Sequence, residues 1–135
     1  MANYRYFEYF NPNPQPAKER GDCSIRSICA ATGLSWMEVF DEMVEVARKN
    51  YDVLESMDTI IEVIEKHGFI PYKVTVKRGS RRPTMQELIR KYPGKIIYGQ
   101  CANHVMCARG GKVRDIWDSS ERPLYKYWLK EDTNE

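Results

Sequence analysis

Apolar residues recur at helical spacing through the first two thirds of the chain. After Ser35 they return every three or four residues, at Val39, Phe40, Met43, Val44 and Ala47, and so form one stripe of an amphipathic helix. Ser35 and Glu38 have the spacing of a capping box, in which each side chain bonds the backbone amide of the other residue. Capping signals, periodicity and terminal glycines together predict four helices: over residues 22–32, from residue 35 onward, over residues 57–67, and from residue 84 to just before Pro93.

Beyond residue 94 the pattern changes to the period of two that is typical of strands. Strands are predicted over residues 95–101, 104–109, 112–117 and 123–129, and two more are expected over residues 4–10 and 69–77. Gly110 and Gly111 predict a hairpin turn between the second and third of these strands. Helices followed by a largely antiparallel sheet predict a single α+β domain over residues 1–135, with a frayed tail at 131–135.

Composition narrows the class of protein without naming a function. The chain has 135 residues, of which 42% are hydrophobic and 30% charged, and a net charge of +2. This balance is that of a soluble domain and lacks the basic excess typical of nucleic-acid binding. No segment approaches the roughly 18 apolar residues of a membrane span, and the N-terminus lacks a signal-peptide pattern. We therefore expect a cytoplasmic protein with reduced cysteines that binds neither nucleic acid nor membrane. Its oligomeric state stays open.

The segment RGDCSIRSICAATG, residues 20–33, places Cys23 in the first turn of a predicted helix. Asp22 is expected to be the N-cap of this helix, and Gly33 is expected to end it. Helix N-termini lower the pKa of a thiol, because the helix dipole and the free amides favour the thiolate. The same amides can stabilise the oxyanion of a tetrahedral intermediate. Cys23 is therefore a candidate nucleophile, and the alternative is a small buried residue of the core.

His104 begins the strand before the predicted hairpin turn and is the candidate base. A turn at residues 110–111 sets a register in which Asp115 lies diagonally from His104 on the same face of the sheet. Asp118 falls on the opposite face in that register, although a bulge after Trp117 would reopen the choice between the two carboxylates. We therefore expect Asp115 to orient the imidazole ring.

The spacing of Cys101, His104 and Cys107 also raises the alternative of a zinc site. On a continuous strand the two thiols face one way and the imidazole faces the other, so the ligands do not converge. We therefore predict no metal and no cofactor, and we expect Cys29, Cys101 and Cys107 to fill the core. His67 is expected to interact with the terminal carbonyls of its helix, without a catalytic role.

A cysteine at the start of the first core helix, followed in the sheet by histidine and then aspartate, resembles the papain-like cysteine peptidases. DCSIR at residues 22–26 and NHVMCARGGKVRDIWD at residues 103–118 are similar to the nucleophile and base segments of small bacterial and phage cysteine proteases and of bacteriocin-processing peptidases. The resemblance implies N-terminal helices that carry the cysteine and pack on a C-terminal antiparallel sheet. It also implies that Cys23, His104 and Asp115 cleave a peptide or isopeptide bond of a protein or peptide substrate through a thioester.

The chain departs from the papain-like pattern at the oxyanion donor. The family usually carries a glutamine six positions before the cysteine, and Ala17 occupies that position here. Gln15 is the first candidate to replace it. Asn11, Asn13 and Gln100 are further candidates.

Two other side chains are expected near the site. Arg26, one helical turn after Cys23, is expected to contact the thiolate or a substrate carboxylate, or to pair with Asp22 or Asp118. Trp117 is expected either in the core or as a wall over the histidine and aspartate.

The departure at position 17 keeps two alternative functions open. One is a non-catalytic papain-like binding module or inhibitor, of phage origin, that acts on a host protein. The other is a deamidase or acyltransferase that uses the same three residues, because a triad does not choose its acceptor.

Overall fold

Four helices and six strands form the part of the chain that the computed structural model describes, residues 5–15 and 21–133. The helices are α1 (Cys23–Thr32), α2 (Trp36–Asn50), α3 (Met57–Lys66) and α4 (Met85–Lys91). The strands are β1 (Phe7–Tyr9), β2 (Ile70–Lys73), β3 (Lys95–Cys101), β4 (His104–Arg109), β5 (Lys112–Asp115) and β6 (Lys126–Glu131). The predicted α+β class is confirmed. Among the described helices, none combines the length and apolar character needed to cross a membrane.

The helix ends lie close to those predicted from the capping residues in the sequence. The capping boxes that begin at Ser35 and Thr84 are both formed, and Gly33 ends α1 in the left-handed conformation. Asp22 occupies the N-cap position of α1, but its side chain makes no capping hydrogen bond. The strand predicted over residues 69–77 is shortened to β2. The strand predicted over residues 123–129 is shifted to β6, which continues to Glu131, the first residue of the predicted tail. Residues 134–135 of that tail lie outside the described residues.

The six strands form one sheet in the order β1-β5-β4-β3-β6-β2. Every pair is antiparallel except that of β1 with β5, which is parallel. The predicted hairpin register is confirmed where the two strands pair, since Arg109 lies opposite Lys112 and Ala108 opposite Val113. These are the pairs that link β4 and β5, because in the described part of the chain β5 pairs beyond Val113 with β1 alone, and it ends at Asp115, two residues earlier than predicted. The N-terminal half of β4 is therefore left for α1 to cover.

Hydrophobic side chains pack on both faces of the sheet. Helices α1, α2 and α3 cover one face, where Cys107 is buried, and α4 covers the other face, where Cys101 is buried. The prediction that Cys101 and Cys107 face the same way is wrong, because the turn at residues 102–103 reverses the chain between them. The prediction that they fill the core, together with Cys29, is confirmed by their burial.

His67 also differs from its predicted environment. Its Nε2 lies 2.7 Å from a carboxylate oxygen of Glu42 on α2, and its side chain links the two helices. The expected contact with helix carbonyls is therefore replaced by a hydrogen bond to Glu42, because α2 packs beside α3 and brings an acidic side chain within reach.

Candidate active site

The first turn of α1 carries Cys23 and keeps its amide groups free of side-chain caps. The carboxylate of Asp22 accepts hydrogen bonds from Arg26 at 2.8 Å and from the indole nitrogen of Trp36 at 2.9 Å, so it turns away from the helix amides. The first amides of a helix have no partner within the helix. Within residues 5–15 and 21–133 no side chain caps the terminus of α1, and the helix dipole favours negative charge on Cys23.

A buried carboxylate lies behind the imidazole ring of His104. The Nε2 atom of His104 is 2.7 Å from Oδ2 of Asp115, which is only 1% exposed. Asp115 also accepts hydrogen bonds from Arg26 Nε, Ser119 Oγ and the amide of Ile116, at 2.9, 2.9 and 2.8 Å. Four donors thus hold the carboxylate ionised and fix its orientation.

The structure pairs His104 with Asp115 and leaves Asp118 apart. Asp118 is exposed, and its Oδ1 accepts hydrogen bonds from the amide and hydroxyl of Ser120 at 3.0 and 2.5 Å. Its carboxylate therefore stabilises the loop after β5, and it makes no recorded contact with the imidazole.

The sulfur of Cys23 interacts with the side of the His104 ring that lies away from Asp115. Interactions with the His104 ring and with the backbone amide of Val105 both lower the pKa of the Cys23 thiol. Because Nε2 of His104 is bonded to Asp115, the nitrogen that faces the sulfur is Nδ1. The Val105 amide is accessible to α1 because β5 pairs with β4 only at Ala108 and Arg109. The separation of β5 from β4 beyond Val113 therefore lets the helix terminus approach the base.

The surroundings of the pair favour its charged form. Burial raises the pKa of the Cys23 thiol, but hydrogen bonds from His104 and the Val105 amide, with the charges of His104 and Arg26, outweigh it and leave that pKa lowered. Burial lowers the pKa of His104, whereas hydrogen bonds and charges of Asp115 and Cys23 raise it to about 9. A thiol with a lowered pKa beside an imidazole with a raised pKa favours a thiolate–imidazolium pair near neutral pH.

The pKa values of the other three cysteines are raised instead of lowered. Burial raises the pKa of Cys29 and of Cys107 to about 12, and it also raises the pKa of Cys101. All four cysteines are free thiols. Cys23 is therefore the one cysteine whose surroundings favour a nucleophilic thiolate at neutral pH.

A cleft of about 430 Å³ opens beside the pair. One wall is the start of α1, and a second is the β3–β4 hairpin, which contributes His104 and Val105. The third wall comes from the α2–α3 connection and α3, through Glu55, Met57 and Ile60. Sequence reasoning missed this third wall, because the connection carries no motif and only the packing of α3 places it beside Cys23.

The oxyanion candidates occupy different places. Gln100 lines the cleft together with Cys23. Gln15 is exposed and is absent from the described lining of the cleft. Its backbone amide donates a hydrogen bond to Oδ1 of Asn13 at 2.8 Å. The Oδ1 atom of Asn11 accepts a hydrogen bond from the Asn13 amide, and the Asn13 side chain donates to Asp22. Ala17, the position where the papain-like pattern has glutamine, lies outside the described residues.

Trp117 and Arg26 lie around the pair in different ways. The Trp117 ring lies 4.8 Å from the His104 ring between centroids and remains 40% exposed, so it forms an outer wall over the imidazole. The Arg26 side chain is only 4% exposed and bridges Asp22 and Asp115, rather than Asp118. It contributes to the field at Cys23 from below the surface, where a substrate carboxylate does not reach it.

Within residues 5–15 and 21–133, no group of three or more histidine, cysteine, aspartate or glutamate side chains is arranged to hold a metal ion. A scan against protein-family models, a search of curated proteins and a search of solved structures each found no match to this chain.

Proposed function

We propose that this protein is a cysteine hydrolase that cleaves a peptide or isopeptide bond with Cys23 as nucleophile, His104 as base and Asp115 as the residue that orients the base. The observation that carries the proposal is that Cys23, at a helix N-terminus, and His104, hydrogen-bonded to the buried Asp115, line one open cleft. The order of these residues and the packing of α1 on the sheet support a papain-like architecture. The four free thiols support a location in the reducing cytoplasm.

The reaction follows from the positions of these groups. The Cys23 thiolate attacks the carbonyl carbon of the substrate, and the carbonyl electron pair moves onto its oxygen. As the tetrahedral intermediate collapses, the C–N bond breaks and the leaving amine takes the proton from Nδ1 of His104. Water then gives a proton to His104 and attacks the thioester, which releases a carboxylic acid and restores the thiolate–imidazolium pair. Asp115 keeps the Nε2 proton of His104 in place throughout.

The remaining groups of the site stabilise charge or hold geometry. The amides of the first turn of α1 are candidate donors for the oxyanion. The side-chain amide of Gln100, which lines the cleft together with Cys23, is another. Removal of one such donor typically costs roughly 10²–10³ in rate. Arg26 and Ser119 act through Asp115, which makes them positioning residues.

Iodoacetamide labelling at about pH 6 tests the proposal, because an ordinary thiol is almost entirely protonated there and a paired thiol is not. We expect Cys23 to be alkylated at least roughly tenfold faster in the wild type than in His104→Ala at this pH, and the two rates to converge near pH 10. His67→Ala is the matched control, because it removes the second histidine of the chain outside the cleft. Equally slow labelling of Cys23 in the wild type and in His104→Ala would refute the enzyme and favour a non-catalytic binding module.

A peptide library separates the possible reactions. Cell-derived peptides are incubated with the protein and with Cys23→Ala, and the products are compared by mass spectrometry. New peptide termini that require Cys23 support the hydrolase. Conversion of glutamine or asparagine to the acid without chain cleavage would identify a deamidase instead, and transfer of an acyl group to an added amine would identify an acyltransferase.

A further inference from the structure

The third wall of the cleft combines apolar surface with one carboxylate. Ile60 is only 3% exposed, and Met57 is half-buried at the start of α3. Glu55 precedes them in the α2–α3 connection, with an exposed side chain on the same lining. A long substrate side chain on this wall can contact the hydrocarbon of Met57 and Ile60 along its length and the exposed carboxylate of Glu55 at its end.

Hydrogen bonds hold the connection that carries Glu55. The Ser56 hydroxyl donates to the Asp52 carboxylate at 2.6 Å and accepts the amide of Thr59 at 3.1 Å as the N-cap of α3. The Thr59 hydroxyl donates to the carbonyl of Val53 at 2.9 Å. These bonds fix the backbone on both sides of Glu55. The backbone position of Glu55 is therefore set before any ligand binds, which reduces the entropy cost of binding a ligand.

The charge of Glu55 is not neutralised by the described part of the chain. Among residues 5–15 and 21–133, no hydrogen bond or ion pair is recorded for its carboxylate. The other described lining residues add no net charge, because Cys23 and His104 form an ion pair and Gln100 and Asn103 are neutral amides. The described lining therefore has a net negative charge, located beside its apolar wall.

We propose that Glu55, Met57 and Ile60 form a specificity subsite that accepts a long aliphatic side chain ending in a positive charge, as in lysine or arginine. The methylene groups of such a side chain pack on Met57 and Ile60 while its cationic end reaches Glu55. This assignment rests on the proposed hydrolase, since it names which peptides the same cleft selects.

Charged thiol reagents test the subsite without a known substrate. Cys23 is modified with (trimethylammonium)ethyl methanethiosulfonate, which is cationic, and with sulfonatoethyl methanethiosulfonate, which is anionic. Each rate is divided by the rate with neutral methyl methanethiosulfonate, so that changes in thiol reactivity cancel. The wild type should favour the cation. Glu55→Gln should lower the ratio of cation to anion rates by roughly fivefold or more, as expected for a unit charge a few ångströms away in a partly hydrated cleft.

Two further variants make the result decisive. Glu55→Lys should reverse the preference, so that the anionic reagent reacts faster. Glu45→Gln is the matched control, because it removes the same charge from an exposed position on α2 that is outside the described lining. An unchanged ratio in Glu55→Gln, or an equal change in Glu45→Gln, would overturn the subsite. If Cys23 instead reacts with the neutral reagent at the same rate in the wild type and in His104→Ala, the proposed hydrolase itself fails, and the two results are distinguishable.

Discussion

Replacement of Asp115 by asparagine tests the electrostatic basis of the site. The substitution keeps the size of the side chain and removes its charge. The carboxylate accepts hydrogen bonds from His104, Arg26, Ser119 and the Ile116 amide. An amide has one oxygen to offer these donors, and its NH₂ group must face another donor. The imidazolium form of His104 therefore loses both its countercharge and its best hydrogen-bond acceptor.

The magnitude follows from the pKa of His104, which is raised from 6.5 to about 9. At about 1.4 kcal/mol per unit, this rise corresponds to about 3 kcal/mol in favour of the imidazolium. Asp115 and Cys23 share this stabilisation, and the open cleft screens part of it. A hydrogen bond to a charged group contributes about 1.5–3 kcal/mol, and the lower end of this range for Asp115 equals roughly a tenfold change in the population of the ion pair.

The sign of the effect on Cys23 follows directly. With a weaker imidazolium beside it, the thiol loses part of the interaction that lowers its pKa, so its pKa rises towards the ordinary value. The rate of iodoacetamide labelling at Cys23 should fall roughly tenfold at about pH 6 in Asp115→Asn. Near pH 10 an ordinary thiol is ionised without help, so the two rates should converge there.

Asp118→Asn is the control for this experiment. It makes the same chemical change three positions away, on an exposed carboxylate that bonds Ser120 instead of His104. Its labelling profile should match the wild type. Equal rates for Asp115→Asn and wild type at low pH would refute the reasoning. A uniform decrease at low and high pH would do so too, because it would indicate lost access to the thiol rather than lost ionisation.

The same substitution has a cost in stability that must be measured beside it. Asp115→Asn leaves the guanidinium of Arg26 buried with Asp22 as its remaining carboxylate partner. Breaking a buried ion pair from one side typically costs about 3–5 kcal/mol, and the surviving partner should place the loss at or below the lower end. Urea unfolding of both proteins at the labelling pH gives this value and shows that each is folded during the assay.

Three further predictions concern single residues. Trp117→Ala should expose the His104 ring to water and lower the reactivity of Cys23 at mildly acidic pH, while thermal unfolding shows a small change because the indole is already 40% exposed. Ser35→Ala should lower the free energy of unfolding by about 1 kcal/mol through loss of the α2 cap, with the labelling rate of Cys23 unchanged. Gly99→Ala would place its added carbon 2.9 Å from a methionine side chain of α4, so urea unfolding should show a loss of about 1–3 kcal/mol. Stability equal to the wild type in either of the last two variants would contradict the packing described for it.

Short-range features of this protein could be predicted from the sequence. The capping boxes at Ser35 and Thr84, and the helix end at Gly33, depend on residues within one turn of each other, and all three form. The register across residues 110–111 is also local, because a two-residue turn leaves the flanking strands one pairing. This register singled out Asp115, which the structure then places against His104.

Long-range features were decided only by the tertiary structure. The parallel pairing of β1 with β5, the early end of β5 and the approach of α1 to β4 join segments that are far apart in the chain. No local pattern encodes which partner such a segment meets, because that choice depends on how all the apolar faces are buried together. The same reason explains why Arg26 pairs with Asp115 and why Glu55 lines the cleft. The sequence alone determined the chemistry that each residue can offer, and burial of the common core determined which of them meet.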